Sequence, residues 1–199
     1  RLGNTPAIGG QSKYAIKSGL GVGIFKGNPA SIQLAGDTGF IQDSAFSTTD
    51  DGNDGGIDFT TANDALLVGV HNGVFFIDGT TSKPTFANSV AASATFGTNP
   101  NTGSTNGVAF VNDDPDQEYV VKADAAVGQA IFGLCGNIND FAAGDAKDGA
   151  STATFDSGTQ GETKMFRIVR SAEDPDNEDL TAAGANIIVV INAAANTYR

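Results

Sequence analysis

The feature that most constrains the fold of this chain is a series of short apolar runs, most of which end at or next to glycine, asparagine or aspartate. The runs are rich in β-branched and aromatic residues, which pack well on a pleated sheet, whereas the residues between them favour turns. The runs of this kind are KYAIKS (13–18), VGIFKG (22–27), ASIQLAG (30–36), GVAFVN (107–112), QEYVVKA (117–123), STATFD (151–156), TKMFRIVR (163–170) and NIIVVINA (186–193). We therefore expect an all-β protein with the architecture of a β-barrel or a sandwich.

For two of these runs, the sequence also predicts how the side chains are buried. In QEYVVKA, Tyr119 and Val121 share one face of a strand while Glu118 and Lys122 share the other, which is the pattern of a half-buried strand. The run NIIVVI at 186–191 is apolar on both faces. We therefore expect it to form a central strand that is covered on both sides.

Turn chemistry and helical spacing add two further predictions. The stretch ALLVGVHNGVFFIDG (65–79) has two apolar runs that flank Asn72 and Gly73. An Asn-Gly pair tolerates the positive φ angles of a type I′ turn, so this stretch predicts a β-hairpin that turns at these residues. One short helix is predicted at residues 124–132, where apolar residues recur at near-helical spacing after Asp124, a candidate N-cap.

The domain organisation follows from the composition of the segments between the strands. Residues 47–64 and 92–107 are polar and glycine-rich, and we expect them to form long loops. The chain is predicted to consist of an extended N-terminal arm at residues 1–17 and a β-rich body at residues 18–199. The body is either one unit or two subdomains divided near residues 92–107.

The charge balance excludes one class of partner. The chain carries 23 acidic and 11 basic residues, a formal net charge of −12, whereas a protein that binds the phosphate backbone needs a basic surface. We therefore expect no nucleic-acid partner. No apolar run approaches the roughly 20 residues of a membrane-spanning helix, so no membrane partner is expected either. The single cysteine excludes a disulfide within the chain.

Charge is also unevenly distributed along the chain. The first 36 residues contain no Asp or Glu. Basic residues in this part of the chain are Arg1, Lys13, Lys17 and Lys26. A basic N-terminal arm therefore precedes an acidic body.

No catalytic, cofactor-binding or metal-binding residues are predicted. A Cys–His nucleophile pair would need the only histidine, His71, and the only cysteine, Cys135, in one cleft, and nothing in their spacing predicts this. A zinc site needs three or four Cys, His or carboxylate ligands. We interpret His71 as a turn residue beside Asn72 and Cys135 as a small buried thiol.

The acidic stretch DDGNDGGID (50–58) resembles a calcium-binding loop only in part. An EF-hand loop that started at Asp51 would have Gly55 at the third ligand position and Ala62 at the twelfth, so the pattern fails. A looser oxygen-ligand site remains as a hypothesis. Its ligands would be Asp51, Asn53, Asp54 and Asp58.

The glycine-rich stretch SGLGVGIFKGNP (18–29) does not predict a phosphate-binding loop. A dinucleotide fingerprint needs a helix after its glycines, and the proline of Asn28-Pro29 pushes the preceding residue to extended geometry. We expect these glycines to allow bends and close backbone approach. Two acidic tetrads, DDPD (113–116) and EDPD (173–176), each follow an apolar run and predict turns that end strands.

Three segments of the chain, taken in order, resemble the capsid decoration (cement) proteins of tailed phages of marine bacteria. They are KSGLGVGIFKGNPASIQLAG; then LLVGVHNGVFFIDGTTSKPTF with GVAFVNDDPDQEYVVKADA; then KMFRIVRSAEDPDN through NIIVVINAAANTYR. Together they cover most of the chain. In that family the loop before GVAFVNDDPD commonly carries tryptophan or bulky aromatic residues, whereas this chain contains no tryptophan.

The resemblance implies a β-rich viral structural protein without enzymatic activity or cofactor. Such a protein binds the outer surface of a bacteriophage capsid and stabilises it. The implied partners are the major capsid protein and further copies of the chain itself, as a dimer or trimer, and the implied location is the exterior of the virion. We expect the basic arm to reach the shell or a neighbouring subunit by strand pairing.

Three other classes remain open. A cell-surface or glycan-binding β-sandwich would stack sugars on aromatic residues, but Trp is absent and we expect the 13 Phe to lie in the core. A major capsid shell protein would usually contain a long helix, for which no pattern of sufficient length is present. An enzyme would rest on acid pairs alone.

Overall fold

The computed structural model describes residues 10–32, 39–43, 67–139, 144–161 and 164–192. The strands, in chain order, are β1 (Gln11–Ile16), β2 (Ile24–Phe25), β3 (Pro29–Ile32), β4 (Ile41–Asp43), β5 (Leu67–Ile77), β6 (Pro84–Ala87), β7 (Ser89–Val90), β8 (Gly107–Asn112), β9 (Glu118–Lys122), β10 (Cys135–Asn139), β11 (Thr154–Gln160), β12 (Phe166–Ser171) and β13 (Asn186–Ile191). The all-β prediction is therefore confirmed.

The short helix predicted at 124–132 is wrong in extent. Within the described residues, helical geometry is confined to one 3-10 turn, Gln129–Ile131, whose N-cap is Gly128. Asp124 does not cap it. Its carboxylate instead accepts hydrogen bonds from Ser157 and Asn139, because these strand residues lie beside it in the folded chain.

The first sheet has the strand order β1-β8-β5-β3-β4, and β6 pairs with the second half of β5. All neighbours are antiparallel. The strands at the two ends of this order, β1 and β4, contact each other, so the sheet curls around its core. The buried residues of this first core are Ile16, Leu20, Ile24, Ala30, Ile41, Val68, Val74, Val90, Phe96, Ala109 and Val111.

The hairpin predicted at Asn72-Gly73 is wrong. These residues lie inside β5, which runs without a turn for 11 residues. Gly73 has a φ of 142° and lies at a bulge where the pairing with β8 shifts register. Because β5 pairs with β8 on both sides of this bulge, its two halves cannot fold back on each other. The chain reverses after β5 instead, where the Asp78 side chain accepts hydrogen bonds from the backbone of Thr80 and Thr81.

The second sheet has the order β11-β10-β12-β13-β9. Its end strands approach each other, since Ala123 forms a parallel bridge with Phe155 and the Asp124 amide donates to the Phe155 carbonyl at 3.0 Å. The sheet therefore forms a small, incompletely closed barrel. The buried residues of this second core are Leu67, Ala123, Val127, Ile131, Ile138, Phe155, Met165, Phe166, Ile168, Ile187, Val189 and Ile191.

Both strand environments predicted for this sheet are confirmed. β13 lies between β12 and β9, as expected for a run that is apolar on both faces. β9 alternates between exposed and half-buried positions, and Tyr119 and Val121 pack against the second core.

The chain passes from one sheet to the other at residues 113–117. The strand that follows the loop at 92–107 is β8, which belongs to the first sheet. The halves also interlock, because the Ser151 amide donates to the Lys26 carbonyl at 2.8 Å and the Lys26 amide donates to Gly149. The division of the body into subdomains stays a prediction.

The predicted N-terminal arm is described only in its second half. Residues 11–16 are strand β1, paired with β8 along its whole length, and Ile16 is fully buried. The arm hypothesis therefore concerns residues 1–9, which lie outside the described residues.

Candidate interaction surface

The two residues considered for nucleophilic chemistry lie in different sheets. His71 is buried in the middle of β5, so its interpretation as a turn residue is wrong. Cys135 begins β10 and is a buried thiol, as predicted. In the part of the chain that the structure describes, no group of three His, Cys, Asp or Glu could hold a metal ion. The calcium hypothesis at residues 50–58 lies outside the described residues.

The glycine-rich stretch bends the chain, as predicted. Gly19 and Gly27 have φ angles of 79° and 98°, which favour glycine, and the stretch leads into β2 rather than into a helix. A Cβ on Gly23 would lie 3.2 Å from the Val90 carbonyl oxygen, so this glycine allows close approach to β7. The stretch has the geometry of a strand connection.

The two acidic-proline tetrads form matching turns, as predicted. In the first, the Asp116 amide donates to the Asp114 side chain at 3.0 Å. In the second, the Asp176 amide donates to the Asp174 side chain at 3.1 Å. The first turn directly follows β8, and the second follows β12 after one residue, Ala172.

Three phenylalanine side chains form a ladder on the outer face of the first sheet. Phe75 on β5 and Phe86 on β6 are direct cross-strand partners, with ring centroids 4.5 Å apart. The Phe86 ring also lies 6.3 Å from that of Phe110 on β8. We call these three residues the phenylalanine ladder. Phe86 is 74% exposed, so the prediction that the phenylalanines lie in the core is wrong for this residue.

Strand alternation explains why the ladder faces outward. Phe75 and Phe76 are neighbours in β5, so their side chains must point to opposite faces of the sheet. Phe76 faces the core and stacks on Phe96, with ring centroids 4.9 Å apart. Sequence reasoning missed the ladder, although two adjacent phenylalanines in a strand already require one of them to face away from the core.

The ladder lies beside an open edge of the sheet. Among the described strands, β6 pairs only with β5, so its second edge has no strand partner. β6 begins with Pro84, a residue that sheets tolerate at edges. Unpaired main-chain groups of an edge strand can pair with another chain.

A shallow groove of about 370 Å³ crosses the ladder at Gly73. Gly73 lines the groove without a side chain, and Phe86, Phe110, Asn72 and Asn88 line it as well. A Cβ at Gly73 would lie 3.3 Å from the Ala87 carbonyl oxygen. The groove therefore combines aromatic rings with amide side chains.

A basic residue borders the ladder. Lys13 on β1 is the register partner of Phe110 and is exposed. In a chain with a net charge of −12, this position adds a local positive charge to an apolar surface. The surface can therefore supply apolar area, main-chain pairing and one cation to a macromolecular partner.

No helix within the described residues is long and apolar enough to cross a membrane. Comparisons of the chain with protein-family models, with curated proteins and with solved structures found no match.

Proposed function

We propose that this chain is a capsid decoration protein of a tailed phage, which binds the outer surface of the shell and stabilises it. The observation that carries the docking step is the phenylalanine ladder beside the open edge of β6. Exposed aromatic clusters mark interaction sites, since aromatic residues contribute strongly to binding energy when a partner removes them from water. The choice of the shell as partner comes from the resemblance of the three sequence segments.

The proposed binding mode uses two parts of this surface. The ladder supplies apolar contact area, and the free edge of β6 supplies main-chain donors and acceptors for strand addition. The major capsid protein and further copies of this chain, as a dimer or trimer, are the proposed partners. The net charge of −12 suits the virion exterior, because an acidic protein inside the shell would repel packaged DNA. No enzymatic activity is proposed.

The test is binding of the purified chain to phage shells that lack it. We expect the chain to co-sediment with shells, and Phe86→Ser to weaken this binding at least tenfold, because the most exposed ring of the ladder is lost. Leu134→Ser is the matched control, since Leu134 is 46% exposed and lies in the other half of the chain. Failure of the parent chain to bind, or equal loss in both variants, would contradict the proposal.

The groove at Gly73 favours a second candidate, a glycan-binding β-sandwich. Phe86 and Phe110 offer ring faces to a sugar, and Asn72 and Asn88 place amide groups beside them. This module would bind oligosaccharides on a glycan array, and Asn72→Ala would weaken that binding. A chain that binds shells but no glycan would reject this candidate.

A further inference from the structure

A second cavity lies at the seam between the two halves of the chain and is separate from the phenylalanine ladder. Its volume is about 390 Å³, which is within the range of small-molecule sites. Its inner wall includes Ile138, Phe166 and Val189, which belong to the core of the second sheet. Pro29 and Val70 of the first sheet form part of the opposite wall.

The incomplete closure of the second sheet explains this cavity. β9 is joined to β11 at the Ala123–Phe155 bridge. Before this bridge, residues 119–122 of β9 lie on one side of the cavity, and Ser151 and Ala153 lie on the other. The gap between these segments therefore leads toward the apolar interior of the small barrel.

The charged groups of the cavity all have one sign. Among its described lining residues, Lys26 and Lys122 are the only charged ones, and both are exposed. Two cations beside an apolar cavity stand out in a chain with 23 acidic and 11 basic residues. The end of the Lys122 side chain lies over Gly184. Because both lysines are exposed and flexible, each can turn its ammonium group toward the mouth, where it favours a carboxylate by charge-assisted hydrogen bonding.

From this arrangement we infer that the seam cavity binds an amphipathic carboxylate, meaning a carboxylate attached to an alkyl chain. The alkyl chain occupies the apolar space lined by Ile138, Phe166 and Val189. The carboxylate lies at the mouth, beside Lys26 and Lys122. This inference goes beyond the proposed function and does not depend on it, since it concerns a different site and the isolated chain.

The first test is calorimetric titration of the full chain with hexanoate, octanoate and decanoate. We expect affinity to rise about fourfold for each added methylene until the cavity is full. Nonyltrimethylammonium, which carries the same nonyl chain as decanoate and the opposite charge, should bind at least tenfold more weakly than decanoate. Equal affinity for decanoate and nonyltrimethylammonium, or no binding of decanoate at millimolar concentration, would overturn the inference.

Two double variants with the same change in net charge locate the site. Lys26→Gln with Lys122→Gln should weaken decanoate binding about tenfold or more. Lys83→Gln with Lys147→Gln removes two exposed lysines that do not line the cavity and should bind decanoate as the parent does. Equal weakening in both double variants would mean that decanoate responds to overall charge and not to this site.

A third measurement reports the position of the alkyl chain. Nuclear Overhauser effects between decanoate and the methyl groups of Ile138 and Val189 are expected if the chain enters the cavity. Contacts with Phe86 and Phe110 alone would place decanoate on the phenylalanine ladder and would overturn the inference. Shell binding is not measured in any of these experiments, so the proposed function and this inference can fail independently.

Discussion

At the scale of single residues, Tyr119 connects the two halves of the chain. Its ring packs against the second core, and its hydroxyl donates to the Asn112 carbonyl at the end of β8, at 2.9 Å. Burial of the hydroxyl, followed by the negative charges of Asp113 and Asp114, raises the pKa of Tyr119 well above its usual value. The folded structure therefore stabilises the neutral form of the Tyr119 side chain.

This raised pKa predicts a loss of stability in alkali. An unfolded tyrosine ionises near pH 10, whereas folded Tyr119 keeps its proton at higher pH. The contribution of Tyr119 is therefore complete below about pH 10 and is lost as pH rises toward the folded pKa. Tyr119→Phe should cost about 1 kcal/mol at pH 7, because a hydrogen bond is removed, and should lose less stability above pH 10. Urea unfolding at pH 7 to 11 measures both effects, and parallel pH profiles would contradict the prediction.

Asp124 has a comparable structural role at the closure of the second sheet. Burial opposes the charge of its carboxylate and is the largest single influence on its pKa. The hydrogen bonds from Ser157, Asn139 and Ala125 together outweigh burial, so the pKa of Asp124 lies below its usual value. The resulting stability is complete above about pH 4 and is lost as pH falls through the folded pKa.

We expect Asp124→Ala to lower the free energy of unfolding by about 1 kcal/mol at neutral pH, since the side chain is largely exposed and solvent weakens its hydrogen bonds. The difference in the free energy of unfolding between Asp124→Ala and the parent chain should become smaller at acid pH. Asp176→Ala, on an exposed turn, is the control and should change stability by no more than about 0.5 kcal/mol. Chemical unfolding at pH 7 and pH 3 provides the measurement, and a constant difference would argue against the pKa effect.

At the scale of elements, the packing of β10 depends on Gly136, which has no side chain. A Cβ on Gly136 would lie 2.2 Å from Cζ of Phe155, a fully buried ring on the neighbouring strand. The ring thus fills the space above the glycine. β10 was missed at the sequence level because CGNIN contains glycine and asparagine, which are depleted in strands.

Gly136→Ala should therefore destabilise the protein by about 2 kcal/mol or more, because neither the ring nor the strand has free space to move into. Gly21→Ala is the control, since a Cβ on Gly21 would have no atom within 4 Å and its backbone does not require glycine. The two variants can be compared by thermal unfolding. If Gly136→Ala were as stable as the control, the Phe155 ring or the strand could move to accommodate the methyl group, and the prediction would be wrong.

At the scale of the whole molecule, the two sheets have separate cores and a shared seam. Leu67, the first residue of β5 in the first sheet, belongs to the core of the second. The segment around Ser151, in the second half of the chain, forms main-chain hydrogen bonds with Lys26, which lies beside β2 in the first half. Because of these contacts, the stability of each half depends on the other.

We expect the two halves to unfold together. His71 in the first sheet and Met165 in the second core are the only histidine and the only methionine of the chain, so NMR can follow each half through one side chain. The two signals should report the same urea midpoint. Midpoints that clearly differ would show that the halves are independent domains.

The sequence by itself determined most strand positions and both acidic-proline turns. β8 matches the run GVAFVN at 107–112, and β9 and β13 lie where alternation and two-sided apolarity placed them. These signals are local, because residues two apart share a strand face and an Asp side chain can bond to the amide two residues later.

Tertiary structure alone decided which strands pair and which faces stay exposed. Asn72-Gly73 has the local chemistry of a turn, yet pairing with β8 keeps it inside one long strand. β4, β6 and β7 are two to four residues long and have too little sequence pattern to predict. The exposure of Phe86 and the cavity at the seam likewise depend on distant partners, because a strand's own sequence does not specify what lies beside it or over it.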